Sequence, residues 1–336
     1  MNTRIDRCLL AVVVVVFGVV ILAFPGCAKK LSAATLIDAM PREVESVFYR
    51  DFTRLTGPAW AYIESERPKP EGQPNSIYGA AIVAAWGASP RAQAMGATEF
   101  TKLQGIGSNR WDQRDIFVCK ESLAGFRDTL AGGSALVVGK TRHGSVEVFE
   151  GRRTMQSFRK DTSDQVVSIF VAIPDDHTLV ISASRGEVEK MTDSLLDRSI
   201  TSEGRVARVR ERWGPIGDEI ANDPPLLVLR AIEPEPIANR FIRPADARSW
   251  PPIHALAMTR RGELSALDLR YVGPAKELPE QWIQYVFAGD NPERTESAGG
   301  FTLRSQVIAN TSKSEPREAL YLWMFPRLVF GQEVGF

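Results

Sequence analysis

The sequence predicts an α+β fold with mainly antiparallel sheets, on three observations. Short apolar runs recur between turn signals, two pairs of them are joined by tight hairpin-type turns, and helical spacing appears only in scattered stretches. A strict strand–helix alternation is missing, which argues against a doubly wound parallel sheet. The chain has 336 residues, 44% hydrophobic and 24% charged, enough for one large domain or two of average size. Lysines and arginines number 41, as do acidic residues. Setting aside Arg4, Arg7 and Asp6 with residues 1–27 leaves 39 basic against 40 acidic groups. That balance gives no footprint for nucleic acid and no field to steer a polyanion.

Leu31 to Ala39 reads as a short helix or tether. Pro41 then opens a segment in which Val44, Val47, Phe48, Phe52 and Leu55 recur at helical spacing, predicting an amphipathic helix, with a strand as the alternative. Residues 64–76 carry Pro68, Pro70, Gly72 and Pro74 among charges and read as an exposed loop. Ile77 to Trp86 is small and apolar, and predicts a strand. Ile116 to Lys120 reads as a strand and Ser122 to Leu130 as a short helix. Ala135 to Lys140 and Ser145 to Glu150 form a hairpin around Thr141-Arg142-His143-Gly144. Val166 to Ile173 and Thr178 to Ser182 flank a second turn, Pro174-Asp175-Asp176-His177. Ser184-Arg185-Gly186-Glu187 has the spelling of a capping box, ahead of a helix that buries Val188, Met191 and Leu195. Val206, Val209, Trp213, Ile216 and Ile220 continue helical spacing past Gly214-Pro215, with Arg205, Arg208 and Arg212 on another face.

Asn222-Asp223-Pro224-Pro225 is a candidate boundary. It divides a first α+β domain, 28–222, from 223–336, a second α+β domain or a continuation of the first. Leu226 to Ile232, Glu263 to Val272 and Phe301 to Asn310 read as strands. Ala255-Leu256 followed by Thr259-Arg260-Arg261-Gly262 echoes Ala135-Leu136 and Thr141-Arg142-His143-Gly144, so two diverged copies of one unit stand beside a chance likeness of two hairpins. Ala319 to Phe325 is apolar but too short to span a bilayer.

The first 27 residues have the anatomy of an export signal. Arg4 and Arg7 precede an unbroken apolar run from Cys8 to Phe24, followed by Pro25, Gly26 and Cys27. Leu22-Ala23-Phe24-Pro25-Gly26-Cys27 resembles the processing site of bacterial lipoprotein precursors. The resemblance covers this segment alone. It implies that Cys27 becomes the lipid-modified N-terminus. Left uncleaved, the same run would be a signal anchor with Arg4 and Arg7 on the cytoplasmic side. Either way residues 31–336 are expected outside the cytoplasm, in the cell envelope. Cys8 falls in the signal run and Cys119 is then alone, so the folded part has no intramolecular disulfide to rely on.

Motifs for chemistry are sparse. Gly132 to Thr141 approaches a phosphate-binding loop, but Ser134 stands where its first glycine belongs and a strand follows instead of a helix. No nucleotide is expected, and an exported compartment lacks ATP. Gly105-Ile106-Gly107 is half a dinucleotide fingerprint. The histidines are His143, His177 and His254, none with a second histidine within helical reach, so no metal or other cofactor is expected. Asp175, Asp176 and His177 are the best single candidate for a ligand or metal site, against the simpler reading as turn formers. Asp161, Ser163 and Asp164 spell part of a calcium loop without its glycine and glutamate. The arginines at 205, 208, 210 and 212 suit an acidic lipid surface or, more simply, a solvated helix face. Tyr321 to Phe325, with Leu328 to Phe330, reads as a docking strip or a closing strand.

No convergent catalytic set is visible. The expected function is therefore a non-enzymatic binding or interaction module, tethered to a membrane through its N-terminus and able to meet another envelope protein. A hydrolase or metal-dependent enzyme using the 175–177 turn, and an accessory subunit of a transport or secretion complex, are the alternatives.

Overall fold

The computed structural model describes residues 31–44, 46–55, 74–97, 113–155, 165–217, 226–231, 255–261, 266–273 and 291–306, with a few isolated positions. Cys27 and the rest of the signal segment lie outside them. So do His254, Gly105 to Gly107, Asp161 to Asp164, Asn222 to Pro225, most of the 64–76 loop, and the apolar run from Ala319.

Helix α1 (Ala33–Ala39) starts where the Ser32 side chain accepts a hydrogen bond from the Thr35 N–H, filling one orphan donor of the first turn. Strand β1 (Ser46–Asp51) follows, where an amphipathic helix was expected. Val47, Phe48 and Tyr49 are all buried, so the helical spacing came from a strand covered on both faces. Asp51 ends it by accepting from the Thr53 N–H and leading into a single 3-10 turn, Phe52–Arg54. Helix α2 (Ile77–Gly87) replaces the expected strand. Ser76 caps it by accepting from the Gly79 N–H, and its four alanines favour helix. It is apolar all round, so no amphipathic period marked it.

Strands β2 (Pro90–Ala97) and β3 (Gln113–Cys119) are followed by α3 (Ala124–Ala131). Next come β4 (Gly139–His143), β5 (Val146–Met155), β6 (Gln165–Asp175) and β7 (Thr178–Ser182), then α4 (Arg185–Leu196) and α5 (Ser202–Trp213). Residues 135–138, expected in a strand, form a turn instead, with the Val137 N–H bonded to the Ser134 carbonyl. Five further strands are described: β8 (Leu226–Ala231), β9 (Ala255–Arg261), β10 (Ala266–Val272), β11 (Glu293–Ser297) and β12 (Gly300–Gln306).

Among the described residues these make one sheet in the order β11-β12-β10-β9-β8-β1-β2-β3-β7-β6-β5-β4, with every neighbouring pair antiparallel. The fold is α+β. β8 pairs with β1 in register from Ser46 opposite Arg230 to Arg50 opposite Leu226, so the sheet runs unbroken past the expected boundary. Residues 32–336 form one compact unit. The two echoing hairpins hold different places. β4–β5 is an edge hairpin with the two-residue turn Gly144-Ser145, whereas β9–β10 lies inside the sheet with four residues between paired ends.

Helix α2 lies on one face, where Ile77, Ala81 and Ala85 meet Phe117, Phe149, Ile169, Val171, Leu179 and Ile181. Gly151 lets it come close: a Cβ there would sit 2.5 Å from both Ile77 Cγ2 and the Leu136 carbonyl. Helices α1 and α4 pack against strands of the sheet, and α5 packs on α1. The expected capping box is not formed. Ser184 sits at the N-cap without a side-chain bond, because the Glu187 carboxylate takes both Nε and Nη2 of Arg114 (3.0 and 2.7 Å) and the Ser182 hydroxyl (2.6 Å). A two-pronged charge-assisted pair outweighs one neutral cap bond.

Candidate functional site

The 175–177 turn joins β6 to β7. Asp175 accepts from the His177 N–H at 2.8 Å and from the Thr178 hydroxyl at 3.1 Å, a local loop of the kind that makes aspartate a turn former. Asp176 pairs with Arg127 of α3 at 2.8 Å. The turn's carbonyls are also taken, with the Cys119 N–H donating to His177 O and the Leu123 N–H to Asp176 O. His177 is half-buried, and its Nδ1 has no hydrogen-bond partner among the described residues. The two carboxylates thus face separate partners and do not close on the imidazole. No cluster of three metal-ligating side chains occurs among the described residues. Cys119, behind the turn, is fully buried with Sγ directed at the Ala85 carbonyl, and burial, aided by the Asp175 carboxylate, pushes its thiol up to about 12. At neutral pH it is no nucleophile. His143, on the edge strand, pairs with Asp193 at 2.8 Å on an exposed surface.

A second polar set, which no local pattern marks, crosses three strands on the face that carries α2. Arg50 donates to Gln93 at 2.8 Å, and Gln93 donates to Asp115 at 3.0 Å. The Arg50 guanidinium also lies over Phe48 and Phe52, and that of Arg153 over Tyr78. Burial pushes the Asp115 carboxyl up to about 6, against the opposing pull of Gln93, Arg50, Arg153 and Tyr78. Gln93 and Asp115 are buried, with Arg50, Tyr78 and Arg153 half-buried around them, and the set ties β1, β2 and β3 together.

The open site lies between α1, the segment that follows it, and α5. A cleft of about 580 Å³ is lined by Asp38, Met40, Arg42, Arg208, Glu211 and Arg212. Thr201 caps α5 by accepting from the Gly204 N–H, and the helix buries Arg205, Val209 and Trp213 on one stripe. The solvated arginine face expected here is split: Arg208 and Arg210 are exposed, whereas Arg205 is buried and Arg212 half-buried. Arg205 is 4% exposed; it reaches Asp38 at 3.1 Å and donates to Ser194 O and Asp197 O at the C-terminal end of α4. Carbonyls left over at a helix end are good acceptors for such a cation. Arg212 donates to the carbonyls of Met40, Pro41 and Val44 at 2.5–2.9 Å and lies 5.1 Å from the Trp213 ring centre. Burial draws its guanidinium down to about 10. Burial also raises the Asp38 carboxyl above its ordinary range, opposed by Arg205, Arg208 and Arg212. Arg42, Arg208 and Glu211 are exposed at the rim, Arg208 only 4.0 Å from Asp38. Asp38 had no local signal in the sequence, because its partner Arg205 lies 167 residues away on α5.

No helix among the described residues is long and apolar enough to cross a membrane. No protein-family model matches the chain, and no curated protein sequence matches it. Two crystal structures of TP0453 overlay on it. Crystal form III does so at 14% identity and a TM-score of 0.42, covering 80% of this chain and 93% of that one. Crystal form I does so at 11% identity and the same TM-score, covering 85% and 95%. At that TM-score the likeness carries neither a site nor a function across.

Proposed function

We propose that this chain is a membrane-tethered, extracytoplasmic binding module of the cell envelope, held through Cys27. The observation that carries the reading is the apolar run ending in Gly26-Cys27, with the compact unit beginning only five residues on, at Ser32. A lipid on Cys27 would hold the chain at its membrane. Lipid anchoring suits a protein whose work is contact at that surface. The geometry favours binding over the enzyme alternative: Asp175 is bonded to the His177 backbone N–H and the Thr178 hydroxyl, Asp176 to Arg127, neither to the imidazole, and Cys119 is buried and protonated.

The test is mass spectrometry of the mature N-terminus, joined to membrane fractionation of a Cys27→Ser variant and crosslinking in the cell. A lipid-modified Cys27 at the N-terminus, with the variant's envelope crosslinks lost, is the expected result. A mature chain beginning at another residue and recovered in the soluble fraction overturns the tether. A retained Met1 start with unchanged membrane association replaces the lipid anchor with a signal anchor.

A further inference from the structure

The cleft between α1 and α5 is lined by three arginines, Arg42, Arg208 and Arg212, against two carboxylates, Asp38 and Glu211, with Glu43 acting on Arg212 and Asp197 on Arg208 from beside it. Asp38 is committed to Arg205, which itself lies under the helix and not in the opening. Arg212 is fastened by three carbonyls of the 40–44 segment and lies against Trp213, so it forms a fixed floor. Arg208 and Arg42 stand exposed at the rim, with Arg208 4.0 Å from Asp38 and within electrostatic reach of Asp197. Two exposed guanidinium forks that line the same cleft as a third held in place suit an oxyanion, since the planar fork matches the spacing of phosphate or carboxylate oxygens. The volume, about 580 Å³, falls in the range of small-ligand sites and far exceeds a bare ion. Met40 adds an apolar wall, and Glu211 at the rim accepts hydrogen bonds but repels a compact polyanion.

We propose that this cleft binds a phosphate ester with a hydroxylated body, its phosphate held by Arg208 and Arg42 alongside Arg212 and its hydroxyls turned to Glu211. This deepens the binding-module reading and rests on it for the role, but not for the chemistry of the cleft. A free ester and a lipid headgroup share that chemistry.

The test uses the full-length protein in neutral detergent, titrated with glycerol 3-phosphate at constant ionic strength. Binding is read by calorimetry and by the emission of Trp213, isolated as the difference from a Trp213→Phe variant. The expected result is a saturable change, weakened about tenfold or more in an Arg42→Ala/Arg208→Ala variant whose urea midpoint is unchanged. The same protein in phosphatidylglycerol vesicles, compared with phosphatidylcholine vesicles, separates the two sources. A response to the charged vesicles alone, lost in the double variant, makes the ligand a headgroup. No saturable response to either probe overturns the proposal, as does equal binding by the double variant. Because all arms read the cleft directly, a failed Cys27 modification leaves the result standing, and a failed cleft leaves the tether standing.

Discussion

Two polar regions of this molecule look alike on paper and behave differently in space. The 175–177 turn gathers two aspartates and a histidine within three consecutive residues, yet neither carboxylate meets the imidazole: Asp175 takes the His177 N–H and the Thr178 hydroxyl, and Asp176 takes Arg127 of α3. The α1–α5 cleft gathers its charges from residues 38–42 and 208–212, and there the rim arginines remain exposed. The turn's two carboxylates are each met, one by its own turn and one by an arginine of α3. Charges brought together by packing can be left partly unmet, and it is there that an outside ligand has something to gain. Mutation can sharpen or break this contrast.

The largest effect is expected where the cleft region meets the core. Arg205→Ala removes the buried partner of Asp38 and strands two helix-end carbonyls, so unfolding free energy should fall by about 3–5 kcal/mol, read from urea titration. A loss under about 1 kcal/mol would mean that Arg205 is not the structural member of the set.

Asp115 offers a pH test of the polar set that ties β1, β2 and β3 together. Its carboxyl is raised from an unfolded value of 3.8 to about 6. The native state therefore holds the proton more tightly, and stability should be greatest below about pH 4, decline as pH rises towards 6, and level off above. The swing should be about 3 kcal/mol. An Asp115→Asn variant, compared with wild type at pH 4 and pH 7.5, should lack this slope. Equal slopes in the two proteins would place the proton elsewhere.

Next in size is Gly151→Ala. The added methyl would press on Ile77 and the Leu136 carbonyl, at a cost of about 1–3 kcal/mol in thermal or urea unfolding. A neutral result would show that α2 can slide away from the sheet.

Much of the antiparallel character was legible in the sequence, because β6 and β7 carry apolar runs bounded by turn residues and β10 alternates apolar with polar residues. Two elements were misread for definable reasons. β1 is buried on both faces, so its apolar residues lost the alternation that marks a strand and fell by chance on helical spacing. α2 is apolar on every side, so it lost the period that marks a helix. The Ser184–Glu187 spelling was overridden by Arg114, 73 residues away, which no local pattern contains. The 175–177 residues were legible, but their proximity said turn before it said site. The cleft was out of reach, since Asp38 and Arg208 have nothing in common until α1 packs on α5.

The turn should answer to its backbone role. Asp175→Ala removes the bonds to the His177 N–H and Thr178 hydroxyl and should cost about 1 kcal/mol, whereas Asp176→Ala, losing only an exposed pair, should cost about 0.5 kcal/mol or less. The reverse order in urea midpoints would argue that the carboxylate facing Arg127 is the one the molecule depends on.

The smallest expected effect is the most discriminating. Arg208 is three residues from Arg205 on the same helix, within 4.0 Å of the same carboxylate, and differs chiefly in being open to water. Exposed charges near a carboxylate contribute little to folding, so Arg208→Ala should change stability by no more than about 0.5 kcal/mol. Asp38 would still have Arg205. A cost near that of Arg205→Ala would make both arginines structural and leave the cleft without a free donor. A near-zero cost means that the fold does not need the Arg208 guanidinium where it stands, and that its charge is available to something other than the fold.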